Sequence, residues 1–114
     1  MKRKYRLTDN EQFQRVRKDG RSWAHPLLVL CALPNDLPHS RFGFAISQRI
    51  GKSAVRNRVK RLIREATRLR QPAIAPGWDL VFIARGPIRE ADFSQVEAAV
   101  VQLLKRARLL RGEW

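Results

Sequence analysis

The most chemically pointed stretch of the chain is Arg56-Asn57-Arg58-Val59-Lys60-Arg61-Leu62-Ile63-Arg64. It holds five cations and no carboxylate. An arginine fork can give a phosphate two parallel hydrogen bonds, whereas lysine offers a compact charge. A solvated helix face normally carries Glu at i,i+4 to pair with its cations. Here only Glu65 stands nearby, so the row suits the phosphates of a polyanion. Arg49 and Lys52 lead into it. Lys52 falls where a helix would start, and free backbone N–H groups at such an end favour an anion.

Other chemistries find less support. A two-metal nuclease needs grouped carboxylates. The ten Asp and Glu are scattered, and nothing in the spacing gathers them. His25 and His39 lie in proline-containing, loop-like stretches and read as surface histidines. Gly51-Lys52-Ser53 looks like the end of a phosphate-binding loop, but the glycine such a loop requires first falls at Ile46. Cys31 is the single cysteine, which excludes a disulfide framework and a cysteine-rich zinc site. It reads as a small buried hydrophobe. No catalytic side chain and no metal-ligand set emerges.

The whole chain shares the bias of this segment. Its 114 residues carry 24 Lys and Arg against 10 Asp and Glu, a net charge of +14. Residues 49–70 hold +8 of it and residues 1–21 hold +5. A surface charged for solubility spreads and mixes its signs. Two concentrated segments instead mark a binding face, and nucleic acid is the first candidate partner. With 44% hydrophobic residues the chain can bury a real core, and its length suits one domain over 1–114. No apolar run approaches a membrane span, and the basic start leads into no apolar signal region, so a cytoplasmic protein is expected.

The elements that must position these residues follow from periodicity. Thr8 and Glu11 form a capping-box pattern before a short helix over about 9–18, with Phe13 and Val16 on its apolar side and Gly20 near its end. Leu27–Leu33 reads as a buried strand stopped by Pro34, and 34–38 is turn chemistry. Arg41–Gln48 alternates, with Phe42, Phe44 and Ile46 on one face and Gly43, Ala45 and Ser47 on the other. These two strands are expected to pair antiparallel. A short extra strand near Arg21–Ala24 is allowed. Ser53–Arg70 is the clearest helix, with an apolar stripe of Val55, Val59, Leu62, Ala66 and Leu69, beside Ile63. Asn57, Lys60, Arg61, Arg64 and Arg68 fall opposite it, and Arg56 and Arg58 on its shoulders. Trp78–Ala84 is another buried strand. Ser94 with Glu97 suggests a second capping box, before a helix reaching about Leu109. Trp78 is expected in the core, while Trp23 and Trp114 have no assigned role. The order makes an α+β domain of helices on a small sheet.

In this order the residues resemble the bacterial ribonuclease P protein family. Arg56–Arg64 is similar to its RNR motif. Gly43-Phe44-Ala45-Ile46-Ser47 followed by Arg49-Ile50-Gly51 resembles the strand before that motif. Phe13 with Gly20, and Val81-Phe82-Ile83-Ala84-Arg85, resemble its flanking elements. The resemblance covers nearly the whole chain. It implies an α-β-β-β-α-β-α sandwich, an arrangement also found in a ribosomal protein domain, with a left-handed crossover through the RNR helix. It implies a protein that assembles one-to-one with a catalytic RNA and assists removal of the 5′ leader from precursor tRNA. The RNA and its Mg²⁺ ions carry out the hydrolysis. In this family the RNR region contacts the catalytic RNA, which maps onto Arg49, Lys52, Arg56, Asn57, Arg58, Lys60, Arg61 and Arg64. A cleft between the first helix and the sheet takes the single-stranded leader, which maps onto Phe13, Arg17, Cys31, Ala45 and Ser47. From the residues alone, Phe13 reads first as the core anchor of its helix. Some members carry further aromatics where this chain has Arg17 and Cys31, so this cleft is expected to be more cationic. Two other readings remain from the residues: a small ribosomal protein of similar fold, and a basic DNA-binding protein. The second lacks a helix-turn-helix partner before the basic helix.

Overall fold

The computed structural model describes residues 1–112, so Trp114 lies outside it. Its elements run α1 (Asn10–Asp19), β1 (Arg21–Ala24), β2 (Leu28–Pro34), β3 (Arg41–Ala45), α2 (Ser53–Arg70), β4 (Trp78–Ala84) and α3 (Phe93–Arg106). The four strands make one sheet in the order β1-β2-β4-β3. β1 pairs antiparallel with β2, and β2 antiparallel with β4. β3 pairs parallel with β4, so α2 is the crossover between two neighbouring parallel strands.

This corrects the expected pairing of Leu27–Leu33 with Arg41–Gln48. The turn at 34–38 does not close a hairpin, because β4 inserts between the two strands. Asn35 holds that turn. Its Oδ1 accepts from the Leu37 N–H at 2.8 Å, and its Nδ2 donates to Asp79 Oδ1 at 2.9 Å. Asp79 is buried on β4 and takes a two-pronged contact from Arg41 on β3, at 2.8 and 2.7 Å. A buried carboxylate tolerates loss of water only when so paired. That pair ties the start of β3 to the strand beside it.

Strand side chains alternate between two faces. Leu28, Leu30, Ala32, Phe42, Leu80 and Phe82 point to the face covered by α2 and α3, and form the main core. Burying each of the Leu and Phe side chains among them is worth about 1.5–3 kcal/mol. Cys31 and Val81 point to the other face, where Val16 of α1 and Leu7 cover them. The Leu7 N–H donates to the Phe42 carbonyl at 2.8 Å, laying the N-terminal segment along the β3 edge. Gly20 ends α1 where a Cβ would stand 2.6 Å from the Ala32 carbonyl oxygen, so only glycine lets the helix turn against β2.

Three further expectations change. Asp9, not Thr8, caps α1, accepting from the Glu11 N–H at 2.9 Å. Asp92 and Gln95 form the capping box of α3, in place of Ser94 and Glu97. Leu69 is exposed, and Thr67 is buried instead, its hydroxyl donating to the Ile63 carbonyl at 2.8 Å. The inward face of α2 is rotated toward Ile63 because α3 packs on that side. Trp78 is half-buried against the core, as is Trp23, whose ring lies 5.5 Å from the Arg21 guanidinium.

Candidate nucleic-acid interface

Helix α2 presents the basic residues because its apolar stripe is spent on the core. Val59, Ile63 and Ala66 are buried, which turns Asn57, Lys60, Arg61 and Arg64 outward. These four, with Ala54, line one shallow surface. No carboxylate lines it. The cations there meet no acidic competitor, so their charge is available to a polyanion.

Arg56 and Arg58 are placed differently. Arg56 Nε donates to the Gly51 carbonyl at 3.1 Å, and its Nη2 lies 3.3 Å from the Ser53 hydroxyl. Arg58 Nη2 donates to the Ala91 carbonyl at 3.0 Å. Both guanidinium groups lean back along the domain and brace the first turns of α2. Lys52 is the N-cap and supplies no side-chain cap, so the first amides of α2 are left to other acceptors. Arg49 is exposed on the short turn Gln48–Ile50 just before it.

The second cluster lies on the α1 side of the sheet. Phe13 stands over Gly43: a Cβ there would meet Phe13 Cζ at 2.6 Å. Ala45, Val29 and Ile83 continue the same sheet face beside it and are half-buried. They occupy one row across three strands, since Val29 and Ala45 both stand opposite Ile83. Cys31 is buried beneath α1, only 5% exposed. Burial pushes its thiol pKa up, and the charge of Arg17 partly opposes that rise. Arg17 is exposed on α1. Ser47 is exposed, two residues past the end of β3.

The structure joins the two clusters. A groove of about 110 Å³ runs between them, lined by Arg6, Leu7, Thr8, Phe13, Phe42, Phe44, Lys60 and Arg64. Lys60 and Arg64 thus face both the open basic surface and the ring of Phe13. Sequence reasoning missed Arg6, Phe44, Val29 and Ile83 as members of this region. Val29 and Ile83 escaped because their strands read as buried on both sides. Alternation along each strand was the signal available.

Among the described residues no three His, Cys, Asp or Glu side chains gather as a metal site. Several acids are engaged in the fold: Asp79 with Arg41, Glu65 with Arg68, Glu97 with Arg70, and Asp9 and Asp92 at helix starts. Among the same residues no helix is long and apolar enough to cross a membrane.

A ribonuclease P protein component from Roseiflexus castenholzii is 53% identical over 113 residues, covering 98% of this chain and 93% of its own. One from Herpetosiphon aurantiacus is 45% identical over 109 residues, covering 96% of this chain and 89% of its own. The solved ribonuclease P protein of Staphylococcus aureus superposes with a TM-score of 0.87 at 31% identity, covering 94% of this chain and 98% of that one. That of Thermotoga maritima superposes at 0.82 with 31% identity, covering 89% and 96%. The family pattern described as Ribonuclease P matches residues 1–108, and the chain belongs to that family.

Proposed function

We propose that this ribonuclease P subunit docks on the catalytic RNA through the exposed face of α2 and guides the 5′ leader of precursor tRNA along the cleft beside α1. The observation that carries this reading is the groove in which Lys60 and Arg64 of the basic face meet Phe13. One continuous track can then hold the catalytic RNA and a single strand at once. Asn57, Lys60, Arg61 and Arg64, with Arg49 and Lys52 before them, contact phosphates. Arg56 and Arg58 hold the helix that presents them.

In the cleft, Phe13 offers its ring to a base, and Ala45 leaves room for a strand beside it. Arg17 supplies a cation at its rim, so phosphate contacts outweigh stacking in leader binding. Cys31 contributes only apolar support from below. Ser47 lies at the exit of the strand. The protein supplies no catalytic side chain: Mg²⁺ held by the RNA supplies the hydrolytic chemistry. The complex is one protein to one RNA, and it works in the cytoplasm.

Reconstitution tests this division of labour. The purified polypeptide leaves precursor tRNA intact, and adding ribonuclease P RNA gives cleavage at low Mg²⁺. Cleavage without the RNA would overturn the proposal. If six to eight phosphates are neutralised, log affinity for the RNA falls with log salt at a slope of roughly −4 to −7. A flat response would count against the basic face. In the cleft, Arg17→Ala weakens precursor binding more than mature tRNA binding. The phosphate-led account fails if Arg17→Ala changes nothing while Phe13→Ala removes most of the affinity.

A further inference from the structure

One concavity belongs to neither cluster. It measures about 430 Å³ and lies where the N-terminal segment, the 34–40 loop and the end of α2 meet. Buried Phe42 and Ile74 lie beneath it, and Pro38, Pro72 and Pro76 wall it. Tyr5 and His39 stand edge to face in it, with ring centroids 5.5 Å apart. Arg68 and Gln71 bring polar groups to its rim.

Three features give it a ligand chemistry. Two rings and three prolines line it beside the polar Arg68 and Gln71, a mixed surface that suits a planar aromatic guest with polar edges. Among the described residues the Tyr5 hydroxyl, the His39 ring nitrogens and the Gln71 carboxamide have no hydrogen-bond partner, and all three residues line the space. Its border is cationic. Lys2, Arg3 and Lys4 are exposed in the turn that carries Tyr5, Lys4 Nζ lies 5.0 Å from the Tyr5 ring, and no Asp or Glu lines the space.

We propose that this concavity seats one unpaired nucleobase of the bound ribonuclease P RNA. The base lies against Tyr5 and His39, Gln71 meets its edge, and the N-terminal cations meet the flanking phosphates. The proposal rests on the RNA-binding reading above and extends it: the seat lies at the C-terminal end of α2, beyond Arg64, so an RNA along that helix reaches it.

The test uses the full-length protein. Adenosine 5′-monophosphate is titrated in and followed by NMR, with inorganic phosphate as the matched titration. The His39 ring and the Gln71 side-chain amide shift saturably with the nucleotide and not with phosphate. Equal shifts with both, or none with either, overturn the proposal. Next, His39→Ala and Gln71→Ala each weaken binding of ribonuclease P RNA about five- to tenfold, the lower range for a lost base contact. The salt slope stays unchanged, because neither residue neutralises a phosphate. Tyr5→Phe retains affinity and Tyr5→Ala loses it. Nucleotide binding with undiminished RNA affinity in these variants would assign the seat to free nucleotides and overturn RNA as its source. Arg61→Ala separates the two levels. If it weakens RNA binding while the pocket variants do not, the seat alone fails. If neither does, the α2 face fails with it.

Discussion

The contact between Phe13 and Gly43 offers a direct way to disturb the leader cleft without substituting a residue of the α2 face. In Gly43→Ala the new Cβ would lie 2.6, 2.9 and 3.1 Å from Phe13 Cζ, Cε1 and Cε2. Carbon atoms settle at about 3.5–4.0 Å, so the ring must lift by about 1 Å. Overpacking of this size costs about 1–3 kcal/mol. For a domain of this length that lowers Tm by about 4 °C per kcal/mol. The ring lines the groove it shares with Lys60 and Arg64, so displacing it disturbs leader binding as well. The expected result is a lower Tm together with a smaller preference of the holoenzyme for precursor over mature tRNA. A double-mutant cycle isolates the cause. Phe13→Ala removes the obstacle, so Gly43→Ala on that background costs at least about 1 kcal/mol less than it does alone. Additive effects in thermal or urea unfolding would refute the packing argument. An unchanged leader preference with a lowered Tm would refute the placement of the leader beside Phe13.

Other expectations follow from named contacts. Asp79→Asn leaves Arg41 without its charge partner and costs about 2–3 kcal/mol, toward the low end for a broken buried pair because Arg41 keeps some exposure; a urea midpoint shift worth under about 1 kcal/mol would contradict this. Arg58→Ala loses the bond to the Ala91 carbonyl and about 1 kcal/mol of stability, whereas Arg61→Ala leaves Tm unchanged and makes the salt slope shallower by about 1; exchange of the two phenotypes would reverse their assigned roles. His25 has its pKa held below the ordinary 6.5 by burial and by Arg106, with the Arg85 guanidinium on its own carbonyl. On acidification the unfolded chain therefore takes the proton first, so stability is full above that range and falls as pH drops through it. Protonation at Nδ1 also costs the hydrogen bond from the Leu27 N–H at 3.0 Å. Tm is expected to decline from pH 7.5 to 5.5, and less so in His25→Asn.

Much of this architecture is legible in the chain because single elements announce themselves locally. The stripe of Ser53–Arg70 has helical period, and Trp78–Ala84 is a short β-rich run between turn residues; both match the observed bounds. Pairing is not local. Pro34–Pro38 has the composition of a hairpin turn, and nothing nearby says that a strand 33 residues past β3 will separate its arms. The helix caps failed for a smaller reason: Thr8 beside Asp9, and Asp92 two residues before Ser94, offer rival oxygens at each start. Only backbone geometry chooses between them. The basic residues of α2 were readable as a group, but their separation into bracing and outward-facing sets was not. It depends on the carbonyls of Gly51 and Ala91, and Ala91 is brought there by another part of the chain. The seat at Tyr5 and His39 was invisible for the same reason, since its walls come from three separate segments.

The placement of β4 also sets an order of assembly. Among the described strands β3 pairs with β4 alone, and β2 meets β3 only through it. A growing chain that has just made α2 therefore owns the cations but not the floor they stand on. Ala45 and Val29 become neighbours of one row only when Ile83 arrives between them. Such long-range closure is slow compared with helix formation. A nascent chain can thus attract RNA by charge well before it can hold RNA by shape. The two capacities merge at one late step, the insertion of a single strand.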